Sequence, residues 1–350
     1  MRVALVTPAA FPSVRGNAVT VSRLARGLVE HGVDVVVLDL ARTPESALPG
    51  ALAAAAPDLI HAFHAFWGGR AVAPVARERR VPLVVSLTGT DANHDLFDHE
   101  RRPVVIESLE TARGIVAFHE TIRTKVAVET PSVAARIAVI PQSAVLGGEP
   151  CPAADLVPRH GGEVRFLLPA GIRRVKDVLA PFGPLGSLAR RHPLRLLLAG
   201  PVIEETEGAR LAAHLEDADW ASYLGEVPHA QMGSLLDAVD IVLNCSLSEG
   251  GMANSVLEAM SRGRPVLASD IEGNRSLIED GVDGLLYRDA ADLERQAERL
   301  LRDPALGARL GRAARAKVER LYSRERETRA YLALYRCVLT AASTGQTASA

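Results

Sequence analysis

Lysine is the scarcest charged residue in this 350-residue chain: only Lys125, Lys176 and Lys317 occur, and arginine supplies nearly all of the 40 cationic residues. A lysine inside a motif therefore stands out. Cysteine is as scarce. Cys151, Cys245 and Cys337 are scattered and odd in number, which excludes a disulfide framework and a zinc knuckle. A formal net charge of −2 gives no electrostatic basis for nucleic acid as a partner. No run of 18 apolar residues occurs, so no membrane span is expected. The opening MRVALVTPAAFP is too short for a signal peptide and reads as a strand. The expected location is cytoplasmic, and contact with a membrane surface stays open.

What is present is a core-forming composition, 48% hydrophobic and 23% charged, in a chain long enough for two domains. Short β-branched runs alternate with longer amphipathic stretches. Arg2–Val6, Asp34–Leu40, Asp58–Phe63, Pro82–Leu87, Gly114–Phe118 and Ile137–Ile140 read as strands, with a helix over Ala18–Glu30. A segment from Gln142 to Glu163, rich in Gly-Gly and X-Pro pairs, reads as a linker. The alternation restarts at Val164–Leu168, Leu194–Ala199, Ala221–Leu224, Ile241–Asn244, Pro265–Ala268 and Gly284–Leu286. The expectation is α/β architecture: two parallel-sheet halves with helices on both faces. A helical run over Ala305–Leu339 and a small, polar, disordered tail over Thr340–Ala350 complete it.

Ligands of open parallel sheets sit beyond the carboxyl ends of the strands, and the motifs fall there. After Ile241–Asn244 comes SEGGMANSVLEAM, Ser248–Met260. A glycine-rich turn entering a helix presents bare backbone N–H groups to an anion, and the helix terminus adds roughly half a positive charge. Gly250, Gly251, Met252 and Ala253 occupy that turn. Two readings of Glu258 stay open: a carboxylate in the first helical turn that accepts bonds from a ribose diol, or, as Ser255-x-x-Glu258, the closing half of a capping box. The loop after Val164–Leu168 carries Arg173, Arg174 and Lys176. Guanidinium grips two phosphate oxygens and ammonium acts as a point charge, so the two loops together suit a diphosphate.

These motifs resemble the retaining GT-B glycosyltransferases of family 4, glycosyltransferase group 1. The strongest part is Ser248–Tyr287, with weaker matches at Tyr223–Val227, Gly16-Asn17 and Ile137–Pro141. Some details resemble the selenosugar synthases, which transfer a sugar to selenophosphate. The resemblance implies two Rossmann-like domains facing a central cleft: residues 1–145 as the acceptor domain, 146–163 as the hinge, 164–317 as the nucleotide-sugar domain, and a helix over about 318–339 packing back on the first. It implies that Arg173 and Lys176 neutralise the diphosphate and that the amides of Gly250–Ala253 bind it. Asn254 joins the donor set, Glu258 holds the ribose, Glu249 touches the donor sugar, and the backbone near Val227 meets the base. Gly16 and Asn17 would close over the phosphate from the first loop.

Two departures from the family pattern matter. Eight residues rather than seven separate Glu249 from Glu258, which a bulge at Gly-Gly would absorb. Thr88 stands where many relatives place a sugar-contacting histidine; His64, and behind it His61, are the candidates to replace it. Thr88, Asp91, Asn93 and His94 are the candidate acceptor residues. The expected activity is retaining sugar transfer from a nucleotide sugar, UDP-linked by frequency in the family, to an unidentified small-molecule or glycan acceptor. No cofactor and no metal are expected, and Asp217-Ala218-Asp219 reads as surface. The alternatives are transfer to selenophosphate or another small nucleophile, and a nucleotide-sugar-binding protein without turnover. A phosphorylase is disfavoured because no pyridoxal-binding lysine is identifiable.

Overall fold

The computed structural model describes residues 1–10, 16–144, 146, 157, 161–249 and 251–344. They fall into two compact units, residues 1–143 with 324–350 and residues 144–323. Most of the expected hinge, and Gly250 of the glycine turn, lie outside the described residues.

The first unit holds a parallel sheet of β1 (Arg2–Thr7), β2 (Asp34–Asp39), β3 (Leu59–Phe63), β4 (Leu83–Ser86), β5 (Gly114–Ala117) and β6 (Ile137–Val139), in the order β2-β1-β3-β4-β5-β6. β3, β4 and β5 are buried along their whole length. That is why they read as unbroken apolar runs: a parallel strand covered on both faces has no polar side to alternate with. Edge strand β2 has no fully buried position: Asp34 and Val37 are exposed and the rest are half-buried.

The second unit holds β7 (Val164–Pro169), β8 (Leu194–Ala199), β9 (Ala221–Tyr223), β10 (Ile241–Asn244), β11 (Val266–Ser269) and β12 (Leu285–Tyr287), in the order β12-β11-β10-β7-β8-β9. Renumbered within the unit this is 3-2-1-4-5-6, the order of dinucleotide-binding sheets. The connections leave β7 and β10 in opposite directions, so the crevice between them is the switch point where such sheets hold ligands. In the first unit the switch point lies between β1 and β3 by the same rule.

The chain end differs from the expected single helical run. Pro304–Leu321 and Arg324–Thr344 are two helices, broken where Tyr322 leaves helical dihedrals at φ −121° and ψ 39°. The second helix continues to Thr344, five residues into the segment expected to be disordered, because Ala341 is still packed at 8% exposure.

This last helix belongs to the first unit and is anchored there by buried polar groups. Arg23 Nε donates to Glu327 Oε2 at 2.8 Å, and Ser143 reaches the same carboxylate. Further along, Tyr335 and Ser86 bracket the His61 imidazole at 2.6 and 2.8 Å. Burial pushes His61 down to about 3, so the ring is neutral. His61 is fully buried and serves this anchor, not a ligand.

Candidate active site

In the second unit the two loops at the β7/β10 switch point are tied together. The Leu247 N–H donates to the Val175 carbonyl at 2.9 Å, and the Lys176 ammonium pairs with Glu249 Oε1. Lys176 ends a 3₁₀ turn, Arg174–Lys176, that Asp177 closes at φ 40°. Aspartate tolerates that left-handed conformation better than most residues.

Glu249 is held from three sides. Ser246 Oγ donates to its Oε1 at 2.7 Å and Asn244 Nδ2 at 3.4 Å. Asn274 in turn fixes Asn244, donating from Nδ2 to its Oδ1 at 3.1 Å. Burial alone would raise the Glu249 carboxyl. The Lys176 charge and the donors from Lys176, Ser246 and Asn244 outweigh it and hold it below the usual 4.5. Gly273 is required beneath this loop, since a Cβ there would lie 2.4 Å from Glu249 Cβ and 2.6 Å from its carbonyl oxygen.

Arg173 projects from the same turn. Its Nε is buried without a hydrogen-bond partner. A buried guanidinium nitrogen left unsatisfied is costly and calls for a missing acceptor. Across the crevice the helix Asn254–Ser261 begins after Ala253 with no side-chain cap. Gly251, Met252 and Ala253 are buried in the approach to it, and Asn254 is half-buried.

The capping-box reading of Glu258 fails here. The helix starts at Asn254, so Ser255 is its second residue and Glu258 its fifth, in the second turn and not the first. Glu258 is 7% exposed, and its Oε1 meets His229 Nε2 at 2.8 Å. His229 opens the helix His229–Asp237, two residues after Val227, which is itself buried. The sequence reading missed His229. The available signal was a histidine at a helix start on the same sheet edge, but its partner is 29 residues away.

The first-unit candidates separate. Gly16 and Asn17 are not in a loop but form the first turn of the helix Gly16–Glu30. Asp91 is 0% exposed, and its carboxylate accepts from the N–H groups of Ala65, Thr88, Gly89 and Ala92; it shapes the loop and does not face a ligand. Asn93 Oδ1 accepts from Lys125 at 2.6 Å. Thr88 is half-buried and His94 exposed. His64 is 4% exposed, so its ring points inward. Asp217 and Asp219 are exposed, and no cluster of three metal-ligating side chains occurs among the described residues.

Residues 172–303 match the family described as glycosyl transferases group 1. The chain is 29% identical over 265 residues to glycosyltransferase 1 domain-containing protein 1 of Xenopus tropicalis, covering 73% of this chain and 76% of that one. The second unit thus carries a glycosyl transferases group 1 domain.

A 29% match to D-inositol 3-phosphate glycosyltransferase of Streptomyces avermitilis spans 62% of this chain and 48% of that relative. Among solved structures, HepE of Anabaena in complex with UDP and glucose superposes with a TM-score of 0.80 at 17% identity, covering 96% of this chain and 99% of that one. Sucrose-phosphate synthase of Thermosynechococcus elongatus superposes at 0.81 and 19% identity, over 97% of this chain and 100% of that one. The fold is GT-B. No helix among the described residues of this chain is long and apolar enough to cross a membrane.

Proposed function

We propose that the chain binds a UDP-linked sugar at the β7/β10 switch point and transfers the sugar with retention of anomeric configuration. The observation that carries this reading is the pairing of an unsatisfied Arg173 nitrogen with a Lys176–Glu249 ion pair, on loops joined by a backbone hydrogen bond. HepE, of the same fold, is solved with UDP and glucose, which supports uridine as the base.

In this reading the donor diphosphate lies between Arg173, Lys176 and the amides from Gly251 to Ala253. As the bond from sugar C1 to the diphosphate oxygen breaks, negative charge grows on that oxygen, and the two cations stabilise it. One such donor contributes about 2.7–4 kcal/mol to lowering a barrier, by analogy with oxyanion-hole deletions. The acceptor oxygen bonds to C1 on the face the diphosphate leaves, and its proton passes to the departing phosphate oxygen. Glu249, fixed by Ser246 and Asn244, stays ionised, orients Lys176 and reaches the donor sugar. Glu258 accepts from the ribose diol, with His229 as its partner in the absence of donor. Two side-chain cations take the place of a metal, and no cofactor is required.

Thermal unfolding with UDP, GDP and ADP tests this, because a ligand that binds only the folded state raises Tm by mass action. UDP should stabilise the chain most. An unchanged Tm with all three nucleotides would remove the donor site. Release of UDP from UDP-glucose without added acceptor would separate an enzyme from a non-catalytic binder.

A further inference from the structure

The switch point of the first unit carries a second constellation, which the transfer reading does not use. β3 runs into a π-helical turn, His64–Gly69. His64 sits there at φ +74°, a left-handed conformation that costs a non-glycine residue of order 1–3 kcal/mol and concentrates at functional sites. Only glycine fits the turn at position 68, because a Cβ there would lie 2.3 Å from the Phe63 carbonyl oxygen.

The strain has two products. One is an outward indole: Trp67 is 44% exposed, with the Phe66 ring against it at 4.8 Å and 81°. The other is an oriented hydroxyl. The Trp67 N–H donates to His64 Nδ1 at 3.3 Å, so the imidazole proton sits on Nε2 and donates to Thr90 Oγ1 at 3.1 Å. Thr90 is exposed. Behind His64, Asp95 Oδ2 is buried without a hydrogen-bond partner, 3.7 Å from Nε2. The proton on Nε2 thus has a second acceptor waiting if Thr90 takes another partner.

The charges around the turn are matched. Arg70 and Arg101 lie over the Phe66 ring at 5.4 and 5.1 Å. Arg70 pairs with Glu45 at 2.5 Å and Arg101 with Asp95 at 2.8 Å. A phosphorylated acceptor would need a cation free to grip it, and these two are engaged.

We infer that the Phe66–Trp67 turn and Thr90 form the acceptor subsite, and that the acceptor is an uncharged sugar or other polyol ring. Its C–H face lies on the indole and one hydroxyl bonds to Thr90 Oγ1, with His64 and Asp95 as positioning residues. The inference rests on the transfer reading and names the substrate class for it.

The chain has two tryptophans, Trp67 and Trp220, so Trp220→Phe leaves Trp67 as the single emitter. Methyl glucoside and maltose should shift its emission, and glucose 6-phosphate should do so at least tenfold more weakly. Thr90→Val should weaken the response to the neutral sugars roughly tenfold, the effect of about 1.4 kcal/mol for one hydrogen bond, while Thr90→Ser should keep it. In turnover, His64→Gln should raise the KM for acceptor far more than it lowers kcat; a loss confined to kcat would overturn its positioning role. Tighter binding of glucose 6-phosphate or inorganic phosphate would overturn the neutral-acceptor inference. No emission change with either neutral sugar, while UDP still raises Tm, would overturn the subsite and leave the donor reading standing. Failure of UDP to raise Tm sinks the transfer reading, and this inference with it.

Discussion

The Lys176–Glu249 pair allows stability and donor binding to be separated in one set of variants. Lys176 is 18% exposed and Glu249 12%. Removing one partner of a fully buried pair costs about 3–5 kcal/mol, because the other charge is left without compensation. Here Ser246 and Asn244 still donate to Glu249 and some solvent reaches both groups. Lys176→Met should therefore destabilise the second unit by about 2–3 kcal/mol. Adding Glu249→Gln removes the orphaned charge, and the double variant should return to within about 1 kcal/mol of the parent.

Denaturant unfolding in a Trp67→Phe background reads this out, since Trp220 then reports on the second unit alone. Acid should change the comparison in a set direction. In the parent, the Glu249 carboxyl is held below 4.5, so the pair contributes its stability above that value and loses it as pH falls through the lowered folded value. In Lys176→Met, burial dominates and the folded carboxyl moves up. Protonation then relieves the penalty, and the gap between variant and parent should narrow toward acid. UDP affinity should be lost in the single variant and stay lost in the double one, because the ammonium is absent from both. A double variant as unstable as the single would refute the orphaned-charge account. Recovered UDP affinity in the double would refute the role of Lys176 at the diphosphate.

Two further outcomes follow from buried groups. Glu258→Gln should weaken UDP by about 1.5–3 kcal/mol, the range for hydrogen bonds to a charged group; titration calorimetry should show that the parent's preference for UDP over 2′,3′-dideoxy-UDP disappears in the variant, and a retained preference would place the ribose elsewhere. The second outcome concerns His61, whose folded value is lowered from 6.5 to about 3. Between those limits the unfolded chain binds one more proton than the folded one, so stability falls as pH drops, by about 1.4 kcal/mol per unit. His61→Gln should flatten that slope in unfolding curves followed through Trp67, and an unchanged slope would assign it to other groups.

The strands of both sheets were legible because burial on both faces leaves unbroken apolar runs, and a run can be found without knowing which way its side chains point. The same property hid the histidines. In IHAFH neither face of the strand is polar, so alternation cannot say whether His61 faces a ligand or the interior, and it faces Tyr335 and Ser86. His64 then leaves the strand at φ +74°, a backbone state that composition does not announce for a non-glycine residue. The charge and glycine content of the Arg173–Lys176 and Glu249–Glu258 loops could be read locally, since each loop carries its own cations, glycines or carboxylates. What could not be read was pairing across the sheet edge. Lys176 finds Glu249 73 residues later, and Glu258 finds His229 rather than the helix end that its S-x-x-E spacing suggested.

That difference bears on how the site works. A glutamate closing its own helix would be fixed whether or not a donor is bound. A glutamate whose partner comes from another element can exchange that partner for a ribose, and the same holds for Lys176, whose ammonium lies on Glu249 where a diphosphate would compete for it. In the second unit the groups proposed to bind the donor are therefore held by interchangeable polar partners, while Gly273 and the Asn244–Asn274 bond hold the backbone beneath them in place. Replacing Gly273 with alanine should move the Glu249 backbone and lower UDP affinity through position alone, with every charged group retained. Affinity unchanged in that variant would show that the loop tolerates displacement and that its tight packing is not what sets the site.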